Sequence, residues 1–154
     1  MTPEETRQGI ARFYDAVVRR DGETMAALYA PNARFEDAVF RLEGPDIMRM
    51  WKGLLGRARN FEASYRILEV GSGQGTAEWT ARYLFGGKHP VVNVIRSTTR
   101  WESGRIVDHR DDFDFALWAS QAMGLMGKLF GRFEWFHRAV ARKAAKGLAL
   151  PSKY

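Results

Sequence analysis

Residues 104–115, GRIVDHRDDFDF, place histidine and aspartate among apolar residues in a pattern that predicts a strand able to do acid–base chemistry. Successive side chains of a strand point to opposite faces. A strand face in contact with water alone rarely sets His and Asp between Val and Phe. We therefore interpret one face of this strand as the lining of a pocket that performs chemistry or holds a polar ligand. That face is predicted to carry Val107, His109, Asp111, Phe113 and Phe115.

A third candidate group, Asp37, lies on a second predicted strand, residues 33–40. An apolar cavity raises the pKa of a carboxyl because desolvation disfavours its charged form, whereas a nearby imidazolium lowers it. Such a pair can hold one proton near neutral pH, which suits a general base. We predict Asp37 or Asp111 as the base, with His109 as its partner or as the acid. Two structural alternatives stay open: Asp37 ends a strand and accepts backbone hydrogen bonds, or His109 is a core histidine paired with Asp111.

Several other kinds of site are not predicted. The chain has no cysteine, which excludes a disulfide, a thiolate nucleophile and a cysteine metal site. His89, His109 and His137 are far apart and lack metal-ligand spacing. The glycines of residues 71–75 lie between two predicted strands and not before a helix, so they predict a hairpin turn and not a phosphate-binding loop. We expect neither a metal nor a cofactor.

The elements that would position these groups follow from hydrophobic periodicity. Helical spacing predicts three helices, at residues 2–20, 23–30 and 47–55, and a helical tail from residue 116 interrupted by three glycines. A period of two predicts strands at 33–40, 61–70, 76–85, 91–101 and 104–115. Long strands joined by short loops indicate an antiparallel meander. Helices followed by such a sheet predict an α+β domain with the helices packed on one face.

Charge is concentrated in the tail. Of the net charge of +6 over 154 residues, all is carried by residues 116–154, and residues 1–115 are neutral. The basic balance therefore does not predict a general nucleic-acid-binding surface. The polar, acidic N-terminus is not typical of a signal peptide, and no apolar run approaches the ~20 residues that span a bilayer. We expect a soluble cytoplasmic protein.

Aromatic and basic residues alternate in this tail, so it has two interpretations. A basic, aromatic-rich amphipathic helix can lie in a membrane interface. Alternatively, it packs on its own sheet or on a partner subunit with its basic side chains solvated, and this second interpretation is the one we favour. The aromatic members are Phe130, Phe133, Trp135 and Phe136, interleaved with Lys128, Arg132, Arg138, Arg142 and Lys143.

The chain resembles the nuclear transport factor 2-like superfamily in its bacterial SnoaL-like and ketosteroid-isomerase-like branch. The matching features are the Phe-Tyr pair at residues 13–14, Asp-Gly-Glu at 21–23, LYAPNARFED at 28–37, Gly44, Gly-Arg-Ile at 104–106 and HRDDFD at 109–114. The resemblance covers about residues 5–118. It implies a cone: a curved, mostly antiparallel sheet that wraps the N-terminal helix and encloses an apolar pocket. We expect residues 1–118 to form this cone domain and residues 119–154 to form a basic helical extension packed on it or on a partner subunit.

The resemblance also bears on activity. Asp37 falls where steroid isomerases keep their catalytic base, but their two oxyanion donors fall at Phe13 and about Ser97. Since losing one such donor typically costs ~10²–10³ in rate, steroid isomerisation is not expected. His109 and Asp111 fill strand positions that are apolar in those isomerases, which resembles the cyclase, hydrolase and dehydratase branches.

These arguments predict binding of a small, largely apolar molecule, with cofactor-free turnover by Asp37, His109 and Asp111. The alternative is a non-catalytic ligand-binding or assembly module, with the tail as its interaction or membrane-surface element. The superfamily resemblance implies a homodimer through the outer face of the sheet. The pocket walls are predicted to be Tyr14, Trp51, Trp79, Tyr83 and Phe113, with Ser97 supplying a hydrogen bond. Trp79 and Tyr83 are also interpretable as core or dimer-interface residues.

Overall fold

Six helices and six strands make up the chain, and the computed structural model describes residues 1–154 throughout. The helices are α1 (Pro3–Arg19), α2 (Gly22–Leu28), α3 (Pro45–Arg57), α4 (Phe115–Ala122), α5 (Gly124–Phe130) and α6 (Glu134–Gly147). The strands are β1 (Tyr29–Glu36), β2 (Arg41–Glu43), β3 (Arg59–Gly71), β4 (Gln74–Phe85), β5 (His89–Glu102) and β6 (Arg105–Asp112). The predicted α+β fold is confirmed.

The helix α1 begins at a capping box, as its first residues predict. The Thr2 hydroxyl accepts a hydrogen bond from the Glu5 amide at 3.1 Å, and the Glu5 carboxylate accepts one from the Thr2 amide at 2.7 Å. The helix ends at Arg19, and the backbone of the following C-cap residue, Arg20, is left-handed. Its buried stripe, which the sheet surrounds, consists of Ile10, Phe13, Tyr14, Ala16 and Val17.

The six strands form one curved sheet in the order β2-β1-β6-β5-β4-β3. Strands β3 to β6 are a meander of antiparallel neighbours, and β1 joins it through a parallel pairing with β6. The first half of β5 extends beyond β6. The Gln121 side chain covers that free edge by accepting from the Val92 amide at 2.7 Å and donating to the Val92 carbonyl at 3.2 Å, which protects it from pairing with another chain.

The strand that precedes the site differs from its prediction. It was expected over residues 33–40, but β1 begins at Tyr29 and ends at Glu36, and α2 ends at Leu28. Asp37 therefore lies in the turn after the strand, not on a strand face. The Pro31–Asn32 pair reads as a turn in the sequence, but an irregularity in the β1–β6 pairing between Tyr29 and Arg34 accommodates it within the strand.

The strand β6 has one bulge, which changes which side chains face inward. Asp108 pairs with Arg100 and Ile106 pairs with Trp101, so Val107 is the extra residue. Ile106 is fully buried, and Val107 is only half-buried. The prediction that Val107 shares the inward face with His109 is therefore wrong, whereas His109 and Asp111 do face inward.

The C-terminal extension, which we define as α4 to α6 and residues 148–154, folds back over the cone. The predicted boundary at residues 118 and 119 falls inside α4, whose N-terminus is capped by the Asp114 carboxylate. A Cβ on Gly127 would lie 1.8 Å from the Ala119 carbonyl oxygen, so only glycine allows α5 to pack this closely on α4. Likewise, Gly53 of α3 leaves room for Leu148.

None of the helices is both long enough and apolar enough to cross a membrane.

Candidate functional site

His109 is the centre of a buried hydrogen-bonded group, which we call the His109 cluster. Its Nδ1 lies 2.7 Å from the Tyr29 hydroxyl, and that hydroxyl accepts a hydrogen bond from Trp51 Nε1 at 3.1 Å. Its Nε2 lies 2.9 Å from Asp111 Oδ1 and 3.0 Å from Ser97 Oγ. The cluster thus joins α3, β1, β5 and β6, and each of its five residues is buried.

The bonding pattern assigns the proton positions within the His109 cluster. Burial raises the pKa of Tyr29, so its hydroxyl stays protonated. Since this hydroxyl already accepts from Trp51, it donates its proton to His109 Nδ1. The proton of a neutral imidazole then lies on Nε2 and points at the Asp111 carboxylate. The result is a directed chain of donors, Trp51 to Tyr29 to His109 to Asp111, that fixes one oxygen of Asp111.

Aromatic rings fill the space around this cluster. The rings of Phe13 and Phe35 lie edge-on to the imidazole, with centroids at 5.5 and 5.1 Å, and Tyr29 stacks on it at 6.0 Å. Trp51 also contacts Phe13, Phe35 and Trp79. The apolar pocket that the superfamily resemblance implies is therefore occupied by side chains around His109, and His109 itself is 1% exposed.

Asp37 lies at the mouth of the cone, in the turn between β1 and β2. Its Oδ1 accepts hydrogen bonds from the amides of Val39 at 2.8 Å and Phe40 at 2.7 Å, whereas Oδ2 accepts none. Burial raises the pKa of Asp37 to about 7, against the lowering effect of these two amides, and the negative charge of Asp111 adds to the rise. One oxygen of Asp37 therefore fixes the turn, as the structural interpretation expected, and the other accepts no hydrogen bond; the role of Asp37 as a base stays a prediction.

A small cleft of about 90 Å³ joins Asp37 to Asp111. Asp111 belongs both to the His109 cluster, through the bond between its Oδ1 and His109, and to the lining of this cleft. Lys153 of the C-terminal extension lines one side of the cleft: its ammonium donates to the Asp37 carbonyl oxygen at 2.7 Å and lies 3.2 Å from the Glu36 carboxylate. The cleft, which we call the Asp37–Asp111 cleft, is lined by Glu36, Asp37, Ala38, Arg110, Asp111, Asp112, Phe113 and Lys153.

Two buried donors inside the cone have no partner. The hydroxyl of Tyr14 and Nε1 of Trp79 make no hydrogen bond, although these residues are 1% and 6% exposed. Burial raises the pKa of Tyr14 well above its ordinary value; the Asp111 charge reinforces the effect and the nearby Ser97 hydroxyl opposes it, so the Tyr14 hydroxyl stays protonated. An unsatisfied buried donor is rare and costs about 1–3 kcal/mol. The centroids of the two rings lie 6.1 Å apart.

The predicted site residues thus divide into groups. His109, Asp111, Ser97 and Trp51 meet in the His109 cluster, and Phe113 joins Asp37 and Asp111 at the cleft. Asp37 makes no hydrogen bond to His109. Tyr83 belongs to neither group, because it lies four residues beyond Trp79 on β4 and its hydroxyl accepts from Trp118 of α4 at 2.9 Å.

Two residues of the site were missed by the sequence reasoning. The predicted helix at residues 23–30 included Tyr29, because Pro31 and Asn32 indicate a turn before the strand. In the structure β1 already begins at Tyr29, and the position of the Tyr29 hydroxyl depends on this. Lys153 lies 116 positions from Asp37 in the sequence, and no spacing rule connects them. A strand beginning at Tyr29 would have placed Tyr29, Ala33 and Phe35 on the buried side, and that was the available signal.

The arrangement suits proton transfer between carboxyl groups. No group of three His, Asp or Glu side chains with the geometry to hold a metal ion is present. What the residues offer is one carboxyl that titrates near neutral pH, a second carboxylate held by an imidazole N–H, and two free donors nearby. Two carboxyls in different environments are the usual basis for separate acid and base roles.

The fold and the sequence both identify relatives of this protein. A curved, mostly antiparallel sheet wrapped around a long N-terminal helix defines the NTF2-like class of α+β proteins. Residues 10–109 match the SnoaL-like domain family, and the chain therefore belongs to the SnoaL-like family. The match ends before α4, so the C-terminal extension lies outside it. No curated protein matches the sequence.

Three solved structures illustrate the likeness. An NTF2-like protein of unknown function from Burkholderia pseudomallei is 18% identical with a TM-score of 0.69, over 78% of this chain and 98% of the other. A putative polyketide cyclase from Silicibacter is 16% identical with a TM-score of 0.68, over 79% and 97%. An LEH-like epoxide hydrolase from M. tuberculosis is 22% identical with a TM-score of 0.63, over 83% and 96%. At these identities the likeness concerns the fold.

Proposed function

We propose that this chain binds a small, largely apolar molecule at the cone mouth and performs cofactor-free acid–base chemistry on it at the Asp37–Asp111 cleft. The observation that carries the proposal is the half-buried Asp37 carboxyl, with a pKa raised to about 7 and one oxygen free, beside a second carboxylate. A group that titrates near the working pH both takes up and returns a proton readily. Asp37 is the proton-transferring group, and His109 is a positioning residue that acts through Asp111.

Two protonation states of the cleft suit this chemistry. With Asp37 ionised, it removes a proton from a carbon next to a carbonyl group or from a water molecule. With Asp37 protonated, it delivers the proton to a leaving or ring oxygen while the Asp111 carboxylate acts as the base. Isomerisation, cyclisation, dehydration and epoxide opening all consist of such paired transfers. The solved relatives described above as a putative polyketide cyclase and an epoxide hydrolase are consistent with this range.

The two unpartnered donors support a substrate that carries an oxygen. Tyr14 and Trp79 present an O–H and an N–H with no acceptor in the protein. A carbonyl or ether oxygen that reached them would satisfy both, and negative charge developing on it would be stabilised. The remaining wall is aromatic, which suits an otherwise apolar molecule.

Access to this site requires movement of the C-terminal residues. The cleft of about 90 Å³ is smaller than the ~300 Å³ at which ligand pockets begin. Lys153 lies across it, with its side chain 11% exposed. A substrate must therefore displace the Lys153 segment or shift the aromatic rings. A larger groove of about 650 Å³ lies between α2 and α3, but it contains none of the acid–base groups.

Exchange of α-protons on a small ketone tests the proposal without knowledge of the natural substrate. Cyclohexanone is incubated with the protein in D₂O, and deuterium incorporation is followed by NMR. We expect exchange whose rate rises with pH through about 7, as Asp37 ionises, and then levels. Asp37→Asn should abolish it. Glu62→Gln, an exposed carboxyl of β3, is the matched control and should leave the rate unchanged. Equal rates for Asp37→Asn and the wild-type protein would refute the proposal.

A second candidate is a non-catalytic binding or assembly module of the same fold. The observation in its favour is the filled interior, where Trp51, Phe13 and Phe35 pack around a fully bonded imidazole. Such a protein would show no exchange above the uncatalysed rate at any pH. An assembly module would also show no change in thermal stability when cyclohexanone is added, whereas a binding or catalytic site binds the ketone.

A further inference from the structure

The C-terminal extension carries an apolar patch that nothing in the fold covers. Its members are large apolar side chains that are between 44% and 71% exposed: Leu125, Met126, Leu129, Phe133 and Trp135. On α5, Leu125 and Leu129 are one helical turn apart and Met126 is three residues from Leu129, so these three share a face. Trp135 stacks on Phe133 at 6.4 Å and contacts Phe130 at 5.5 Å, which joins α5 to the start of α6.

The helices of the extension do pack on the cone, so their exposed apolar side chains are not explained by a lack of packing. Helix α6 is amphipathic and buries Phe136, Ala141 and Ala145 against the cone. Its C-terminal end is tied to α3, where the Arg57 guanidinium donates to the Gly147 carbonyl oxygen at 2.8 Å. The core-facing side of the extension is therefore filled, and the apolar patch is a second, outward-facing apolar surface. Contiguous exposed apolar side chains of this kind mark interaction sites.

A rim of cations surrounds the apolar patch. Lys128 lies within α5, the Arg132 guanidinium lies 5.9 Å from the Phe133 ring, and Arg138 and Arg142 follow Trp135 on the exposed face of α6. Glu134, the one acidic residue after Asp114, pairs with Arg138. Lys128, Arg132 and Arg142 have no ion-pair partner in the protein. The basic rim is thus free to meet an anionic surface.

The positive charge of the rim distinguishes between the three kinds of partner that could cover the apolar patch: a second copy of the chain, a nucleic acid and a bilayer. A second copy of the chain in a two-fold dimer would bring the same patch to itself, so each basic rim would face another basic rim. A nucleic acid would match the charge, but three of the five patch residues, Leu125, Met126 and Leu129, are aliphatic and offer no stacking surface for bases. An anionic bilayer matches both features, since its head groups attract the cations and its acyl region accepts the aliphatic chains and the tryptophan.

We infer that the apolar patch and its basic rim bind the surface of membranes that contain anionic phospholipids, with Leu125, Leu129 and Trp135 entering the interface. This places the cone beside the bilayer, where apolar small molecules concentrate. The inference rests on the patch alone and does not depend on the chemistry at Asp37.

Flotation of the full chain with vesicles tests this inference. Vesicles of phosphatidylcholine alone are compared with vesicles that also contain phosphatidylserine. We expect binding to the anionic vesicles that weakens at high salt, and little binding to the neutral ones. Lys128→Gln with Arg132→Gln should lower the partition coefficient about 30-fold, since each cation near an anionic surface contributes about fivefold. Leu125→Ser with Leu129→Ser should lower it at least about tenfold through lost apolar burial.

Matched controls separate the patch from general basicity. Arg82→Gln with Arg96→Gln changes the net charge equally on exposed positions of the sheet, and Leu54→Ser with Val94→Ser removes two exposed apolar chains elsewhere. Both controls should bind as the wild-type protein does, and thermal melts verify that every variant is folded. Absence of binding to anionic vesicles, or equal losses in patch and control variants, overturns the inference. Patch-dependent dimerisation or RNA binding without lipid binding also overturns it, in favour of that partner.

Discussion

The interior of the cone contains two tyrosines with opposite hydrogen-bonding states. Tyr29 is 7% exposed, and its hydroxyl is bonded to both Trp51 and His109. Tyr14 is 1% exposed, and its hydroxyl has no partner. Both contact Phe13 edge-on, at 5.5 and 5.2 Å, so their apolar surroundings are alike. The Tyr29 hydroxyl belongs to a network that the protein completes by itself, whereas the Tyr14 hydroxyl makes no hydrogen bond to the protein.

This difference separates two kinds of buried polar group in one interior, those that hold each other in place and those without a hydrogen-bond partner. The His109 cluster satisfies its own polar atoms, so it holds Asp111 in place and gains nothing from a ligand. Tyr14 and Trp79 carry a desolvation cost in the free protein that an acceptor oxygen would remove. Asp37 lies between these extremes, with one oxygen bonded and one free. The four predictions below test this division, and they are arranged by the size of the expected effect.

Loss of the imidazole should be the most damaging change. His109→Leu leaves the Tyr29 hydroxyl, the Ser97 hydroxyl and one oxygen of Asp111 without partners in a buried place. We expect destabilisation of about 3–5 kcal/mol in urea unfolding, the range found when a buried pair loses one member. His89→Leu removes a half-buried histidine that makes no hydrogen bond and should cost less than about 1 kcal/mol. Similar small effects for both variants would mean that the cluster does not form.

The raised pKa of Asp37 should appear as a pH dependence of stability. Between its unfolded value of 3.8 and its folded value of about 7, the native state keeps a proton that the unfolded state releases. Wild-type stability therefore falls, relative to Asp37→Asn, as pH rises from about 4 to about 7, and the difference is constant above that. A shift of this size corresponds to at most about 4 kcal/mol, and the partial exposure of Asp37 reduces it. A difference that does not vary with pH would contradict the assignment.

The two tyrosines provide a matched pair, because the same atom is removed at both positions. Tyr29→Phe should destabilise the fold by about 1–3 kcal/mol, since it leaves Trp51 Nε1 and His109 Nδ1 unpartnered. Tyr14→Phe should change stability by less than about 0.5 kcal/mol or increase it, because it removes a donor that has no acceptor. Chemical denaturation of both variants without added ligand measures the two changes in the free energy of unfolding. Equal losses would show that Tyr14 has a partner.

The smallest effect is expected at Lys153. Lys153→Met removes its bonds to the Asp37 carbonyl oxygen and to Glu36, which should cost about 1 kcal/mol. Because the Lys153 charge lowers the pKa of Asp37, the midpoint of the Asp37-dependent pH transition should move upward. Lys128→Met, at an exposed lysine of α5, is the control and should leave that midpoint in place. An unchanged midpoint in Lys153→Met would exclude Lys153 from the cleft.

The sequence was sufficient where the structure depends on nearby residues. The capping box at Thr2 and Glu5, the apolar stripe of α1 and the cap at Asp114 all follow from spacings of three or four residues. The bond between His109 and Asp111 also follows from alternation, because residues two apart on a strand share a face. The family resemblance then supplied the order in which these elements assemble.

Features that depend on distant pairings could not be predicted in this way. The bulge at Val107 depends on how β6 pairs with β5. For the residues of β6 before the bulge, it exchanges the inward-facing and outward-facing positions. The length of β1 depends on its parallel neighbour β6, which overrides the turn preference of Pro31. The position of Lys153 at the cleft depends on its contacts with Glu36 and Asp37, which lie more than a hundred positions earlier. In each case the deciding partner is remote in the sequence.

The parallel pairing of β1 with β6 also has a consequence for the order of folding. Strands β3 to β6 pair with their sequence neighbours through short turns, whereas Tyr29 and His109 are 80 residues apart. Closing so long a loop costs more chain entropy than closing a hairpin, and contacts of large sequence separation slow folding. The meander is thus expected to assemble first and β1 to dock late. The His109 cluster would then be among the last parts of the protein to form, because its hydrogen bonds require β1, β5 and β6 to be in place together.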